Sequence, residues 1–226
     1  MGIDMVLLLV DEPCLKNLLQ QPWDMLYQGM EKGRFREQRP AYDSRLKRAF
    51  DIDCEAEILD WVDSIEVEKT GSVLEVLKSI PEGPQGLLHL MEWASPGAWE
   101  VWEGRAFLYL DVALKRTISS SEDLYDEETW AQLIQQLNGI PEEEFSELVC
   151  LDWMERRKEL GETLDENEDP KIVPTFEAHD RASRGLVYTI TLCNSSPNLL
   201  GILGREHMKA DLWGHGRWNL RQYLLD

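Results

Sequence analysis

The chain has 226 residues, 43% of them hydrophobic, and its 43 acidic and 23 basic side chains give a formal net charge of −20. Such a field repels phosphate backbones, whose capture needs basic side chains that displace counterions, so direct nucleic-acid binding is not expected. No apolar run approaches the roughly 18 residues of a membrane helix, and Met1–Val10 lacks a basic n-region, which makes the cytoplasm the expected compartment.

In chain order, residues 3–10 form a short Val- and Leu-rich run bounded by charges, which predicts a buried strand. Asp11 can cap a helix with Pro13 in its first turn and Leu15, Leu18 and Leu19 on one face. After Pro22, the residues Trp23, Leu26, Tyr27 and Met30 repeat at helical spacing, as do Ile58, Leu59, Val62 and Ile65. A short helix is predicted near Ser72 to Ser79, stopped by Pro81 and Pro84.

Ser95-Pro-Gly97 makes a turn, and Phe107-Leu-Tyr-Leu-Asp-Val112 reads as a strand at 106–112. Residues 123–158 read as a helical hairpin, broken at Asn138-Gly139 and restarted at Pro141. The stretch about 161–170, rich in Glu and Asp, reads as a mobile acidic surface loop. Residues 185–193, β-branched and aromatic, read as a strand, and Leu220 to Leu225 as a terminal helix. The expected architecture is therefore α+β. One domain spans 1–226, with a small sheet from strands near 3–10, 106–112 and 185–193 packed by several helices.

The order of elements resembles the YfbM-like family of uncharacterised bacterial proteins. The resemblance is carried by the opening Met1-Gly-Ile with its strand and the Leu-rich helix at Pro13–Gln20, and by Phe50-Asp-Ile-Asp53. The helical pair Glu127–Leu137 and Pro141–Leu148 completes it. It implies an α/β fold and brings no catalytic residues with it. The basic segment Lys32–Arg48 and the Trp-rich tail after Pro197 depart from that pattern.

Chemistry-bearing motifs are sparse. The cysteines Cys14, Cys54, Cys150 and Cys193 form no CxxC pair and sit among apolar residues, as small core hydrophobes do. The histidines His89, His179, His207 and His215 form no HxxxH, HxH or HExxH pair, and no Walker loop, GxGxxG cradle or GxSxG elbow is present. Asp51-Ile-Asp53 lacks the turn glycine and the later glutamate of an EF-hand. Neither metal nor cofactor is expected, and catalysis is not indicated. The arginines of Lys32–Arg48 are followed at once by Asp51, Asp53, Glu55 and Glu57, which predicts internal charge pairing rather than a phosphate site.

Two readings of function remain. Residues 122–169 hold 17 acidic side chains against three basic ones. This points to a non-enzymatic, bacterial-type protein-interaction module, of the immunity or anti-defence inhibitor kind, binding a basic partner. Its contacts would be Glu142, Glu143, Glu144, Glu162, Asp165 and Glu166. The alternative is a ligand-binding domain or enzyme with a Trp/His-lined pocket. Nine tryptophans supply the candidates: Trp93, Trp99 and Trp102 around the Ser95 turn and Trp213 and Trp218 in the tail, with His179, Asp180, His207 and His215 for proton transfer.

Overall fold

The residues Val6–Val10 carry no polar side chain on either side of the pleat, so an extended segment there must be covered on both faces. The computed structural model describes residues 4–46, 54–65, 70–115, 127–161, 172–205, 209–215 and 218–226. Its first strand is β1 (Asp4–Asp11), followed by β2 (Gly97–Trp102), β3 (Leu199–Arg205), β4 (Gly214–His215) and β5 (Trp218–Asn219). They form one antiparallel sheet in the order β2-β1-β3-β4-β5.

Helices cover both faces of β1. On one side lie α1 (Glu12–Leu19), α2 (Trp23–Glu31), α3 (Cys54–Ser64), α4 (Val73–Ser79) and α5 (Gly83–Trp93), and the terminal helix α10 (Leu220–Leu225) joins them. Their apolar faces meet Val6, Leu8 and Val10 of β1 and Ile202 of β3. On the other side lie α6 (Glu103–Leu114), α7 (Glu127–Leu137), α8 (Glu142–Glu159) and α9 (Ile172–Ser195). These pack on Met5, Leu7, Trp99, Val101 and Leu203. The period-2 alternation of a strand thus divides one apolar run between two cores. Among the described residues the fold is α+β, as expected, and no helix is long and apolar enough to cross a membrane.

Local signals set the helix ends. Asp11 accepts from the Cys14 amide at 2.8 Å, and Pro13 occupies the first turn, where its missing N–H costs nothing. Ser72 and Glu75 close a reciprocal capping box at α4, and Asn219 and Gln222 do the same at α10. Two close approaches demand glycine. A Cβ on Gly204 would sit 1.9 Å from the Trp213 ring, and one on Gly86 would sit 2.0 Å from the Trp61 ring.

Two expected strands are corrected. Residues 106–112 lie inside α6 and residues 185–193 inside α9. Ala106, Leu108, Tyr109, Leu110 and Ala113 of α6 are all buried, so this helix is apolar nearly all round and its run mimics a buried strand. In α9 the buried Leu186, Val187 and Ile190 follow helical spacing, and Thr189 donates back to the Gly185 carbonyl at 2.7 Å, satisfying a hydroxyl that would otherwise disfavour a helix interior. The sheet positions go instead to β2 and β3. Both helices of the expected hairpin exist, but the contacts that hold them run from α6 to each, from α7 to α9 and from α8 to α9. Residues 123–126 and all of the expected acidic loop beyond Gly161 lie outside the described residues.

Because Leu7 and Leu8 are each no more than 1% exposed but point into different cores, Leu7→Ala and Leu8→Ala should both destabilise the whole chain by about 2–5 kcal/mol. Urea denaturation followed by circular dichroism checks this. Two cores unfolding separately would instead give two transitions, only one of them shifted by each variant.

Candidate functional site

The expected pocket residues do not gather into one cleft. Trp93, on α5, and Trp213 are fully buried in the core under α1 to α5. Trp99, on β2, is buried in the opposite core. There it donates from Nε1 to the Ala182 carbonyl at 2.8 Å and packs edge-on against Tyr109 at 5.9 Å. His179 is 2% exposed and lies between Tyr109 and Trp153, with its Nδ1 3.0 Å from the Tyr109 hydroxyl. The polar atoms of Trp99 and His179 thus find partners inside the fold, a structural arrangement.

Asp180 does not orient that imidazole. Successive helical residues point about 100° apart, and the Asp180 carboxylate accepts from Ser146 at 2.5 Å and from Arg184 at 2.7 Å. Burial pushes its carboxyl up, but the bonds from Ser146 and Arg184 and the charges of Arg184 and Arg181 outweigh that, so it titrates below the usual Asp range. His215 and Trp218 do meet, in β4 and β5, with ring centroids 6.1 Å apart, and Trp218 packs against the tilted Tyr223 ring at 4.9 Å. The His215 Nδ1–H donates to the Gly201 carbonyl at 2.9 Å. Trp218 and Tyr223 line an open groove of about 340 Å³ shared with Lys16 and Lys78. The Trp102 side chain and His207 lie outside what the structure describes.

The acidic candidates fare differently. Glu142, Glu143 and Glu144 form the first turn of α8, where the helix dipole favours anions. Glu142 is paired with Arg45 at 2.6 Å and Glu143 with Arg184 at 3.0 Å. Arg45 also lies over the Tyr188 ring at 3.7 Å, while Tyr188 donates to Asp43. The pairings thus clamp the end of the basic segment onto α8 and α9. Glu162, Asp165 and Glu166 lie outside the described residues.

Further along α8, Glu144, Glu147, Leu148, Leu151 and Glu155 share one outward face, since they recur at spacings of three and four. Leu148 is 43% and Leu151 58% exposed. The opposite face, Phe145, Ser146, Val149 and Cys150, is buried. No ion pair is formed by Glu144, Glu147 or Glu155 among the described residues. Sequence reasoning found the charge of this helix but missed its two exposed leucines, which break the rule that the solvent face of a helix is polar.

Elsewhere the basic segment behaves as expected. Arg36 makes a forked contact with Glu55, its closest approach being 2.8 Å. Cys14, Cys150 and Cys193 are free thiols, and burial pushes Cys14 up to about 11. One cluster of potential metal ligands occurs among the described residues, formed by Glu57, His89 and Glu92. Comparison with protein-family models, with curated proteins and with solved structures finds no match to this chain.

The hydrogen bonds from Arg36, with its charge, hold the Glu55 carboxyl below its ordinary range against an opposing effect of burial. A depressed carboxyl contributes stability that is present above its unfolded value, about 4.3, and is lost as pH falls through its lower native value. Arg36→Gln should therefore destabilise the fold at pH 7, by an amount that shrinks toward zero as pH falls from about 5 to 2. Urea midpoints of the two proteins across that range check the convergence.

Proposed function

We propose that the protein is a non-enzymatic interaction module whose outer α8 face binds a basic partner protein. The observation that carries this reading is the pair of exposed leucines, Leu148 and Leu151, framed by the acids Glu144, Glu147 and Glu155, which form no ion pair among the described residues, on a helix whose opposite face buries Phe145, Ser146, Val149 and Cys150. An apolar centre flanked by charge of one sign matches the usual division of an interface into a desolvated core and a polar rim. The partner that fits is an amphipathic surface with aliphatic side chains between lysines and arginines. The overall charge of −20 would speed that encounter at low salt.

Glu142 and Glu143 enter this reading in a changed role. Their charge is largely met by Arg45 and Arg184, so they hold α8 in place while the acids beyond them present the free charge. An inhibitor of the immunity or anti-defence kind would act this way, by covering a basic surface that its target needs for another anion. Support for the pocket alternative is thinner, because Trp93 and Trp213 stand in one core and Trp99 in the other.

The test compares capture from the native lysate by the wild-type chain and by a Glu144→Lys/Glu147→Lys/Glu155→Lys variant. A basic protein held stoichiometrically by the wild type, released by raised salt, and lost by at least about 10-fold with the variant is the expected result. Leu148→Ala/Leu151→Ala should weaken capture with the fold unchanged, since both side chains are already in water. Equal capture by all three proteins would sink the proposal.

A further inference from the structure

Helices α3 and α5 pack closely because Gly86 leaves room for the Trp61 ring. That contact brings Glu57 of α3 beside His89 and Glu92 of α5, two residues three apart on one helical face. The three side chains offer one imidazole nitrogen and two carboxylates, with all ligand atoms within 4.8 Å of one another. The His89 Nδ1 stands 3.8 Å from the Glu57 carboxylate and 3.6 Å from that of Glu92.

These separations are too long for hydrogen bonds. The Nδ1 atom is buried with no hydrogen-bond partner among the described residues. The Glu92 side chain is only 5% exposed, and among the described residues it accepts no hydrogen bond of ordinary length. A carboxylate so placed is expensive unless something positive meets it. Ligand atoms held about 2.0–2.2 Å from a tetrahedral Zn2+ stand about 3.4 Å apart, which is close to the spacings seen here.

We propose that Glu57, His89 and Glu92 bind one divalent transition-metal ion, with Zn2+ the best match to one nitrogen and two oxygen donors. Two carboxylates and a neutral imidazole balance the ion's charge, whereas an imidazolium between them would leave one negative charge uncompensated. The His89 Nε2 lies 3.0 Å from the side-chain amide nitrogen of Gln85. On metal binding that amide turns by half a rotation and its oxygen takes the nitrogen's place, so that Nε2–H donates to it and the Nδ1 lone pair faces the carboxylates, the tautomer that ligating histidines adopt. Glu57 is 35% exposed, so the fourth coordination position opens to solvent and a water or a partner's side chain can fill it.

The experiment is isothermal titration of the full-length, metal-stripped chain with Zn2+, alongside His89→Ala, Glu92→Gln and a His215→Ala control. Thermal unfolding of each protein is measured with and without the ion. Expected are one ion per wild-type chain, a higher unfolding temperature with Zn2+, and loss of both in His89→Ala and Glu92→Gln but not in His215→Ala. Glu92→Gln keeps the size and removes the buried charge, so its circular dichroism should match the wild type and separate lost ligation from lost fold. Absence of binding by the wild type overturns the proposal. So does a bound ion that survives both His89→Ala and Glu92→Gln, since it must then sit elsewhere, on the thiols for instance.

Discussion

Everything in this fold depends on β1 being apolar on both faces. An antiparallel strand often keeps one side for water, but Met5, Val6, Leu7, Leu8, Leu9 and Val10 are all buried. The sheet can be satisfied only as the middle of three layers, and each helical layer takes alternate side chains of the same strand. The chain therefore completes one layer from α1 to α5, crosses through β2, builds the second layer from α6 to α9, and returns through β3 to place α10 back on the first. The two candidate surfaces inherit this division. The ligand cluster on α3 and α5 belongs to one layer and the outer face of α8 to the other, so substitutions in one should leave the other's chemistry unchanged.

Parts of this plan were legible in the residues. The strand at 3–10, the cap at Asp11, the helix start near Ser72 and the helices on either side of Asn138 all carry local signals that agree with the final structure. The misread segments are those where local and tertiary signals diverge. Helix α6 is enclosed by β2, β1, α7 and α8, so it is apolar nearly all round and its period is hard to read. The β-branched Val187, Thr189 and Ile190 favour a strand locally, but their spacing buries Val187 and Ile190 on α9's packed side. Strand β3 was hidden for the opposite reason. Its Gly201 and Gly204 suggest a loop, yet Gly204 is needed in the strand because Trp213 lies against it.

The candidate surfaces were less legible than the fold. A count of charges finds α8, but it cannot show that Arg45, distant in sequence, pairs with Glu142. Nor does the pattern of Leu148 and Leu151 distinguish an exposed pair from two further core positions beside Phe145 and Val149. The tryptophans were visible as a group and misleading as one, because proximity in sequence around Ser95-Pro-Gly97 places Trp93 and Trp99 on opposite faces of the sheet. His89 had no neighbouring ligand at a spacing that metal motifs use, and only the packing of α3 on α5 supplies Glu57.

Charge economy links the two surfaces. The acids that meet a basic residue, Glu55, Glu142 and Glu143, sit where elements must be held together. On that logic, an acid left without such a partner needs a separate reason. Glu144, Glu147 and Glu155 are exposed and form no ion pair among the described residues, which costs little, since water solvates them. Glu92 is in the reverse position. Burial pushes its carboxyl above the usual range, and the neighbouring imidazole offsets that only in part. A chain that paired its other tightly held acids with arginine has set this one, with Glu57, against the uncommitted nitrogen of a histidine. That substitution of imidazole for guanidinium is the feature a cation site requires and an ordinary ion pair does not, because only the imidazole has a lone pair to give.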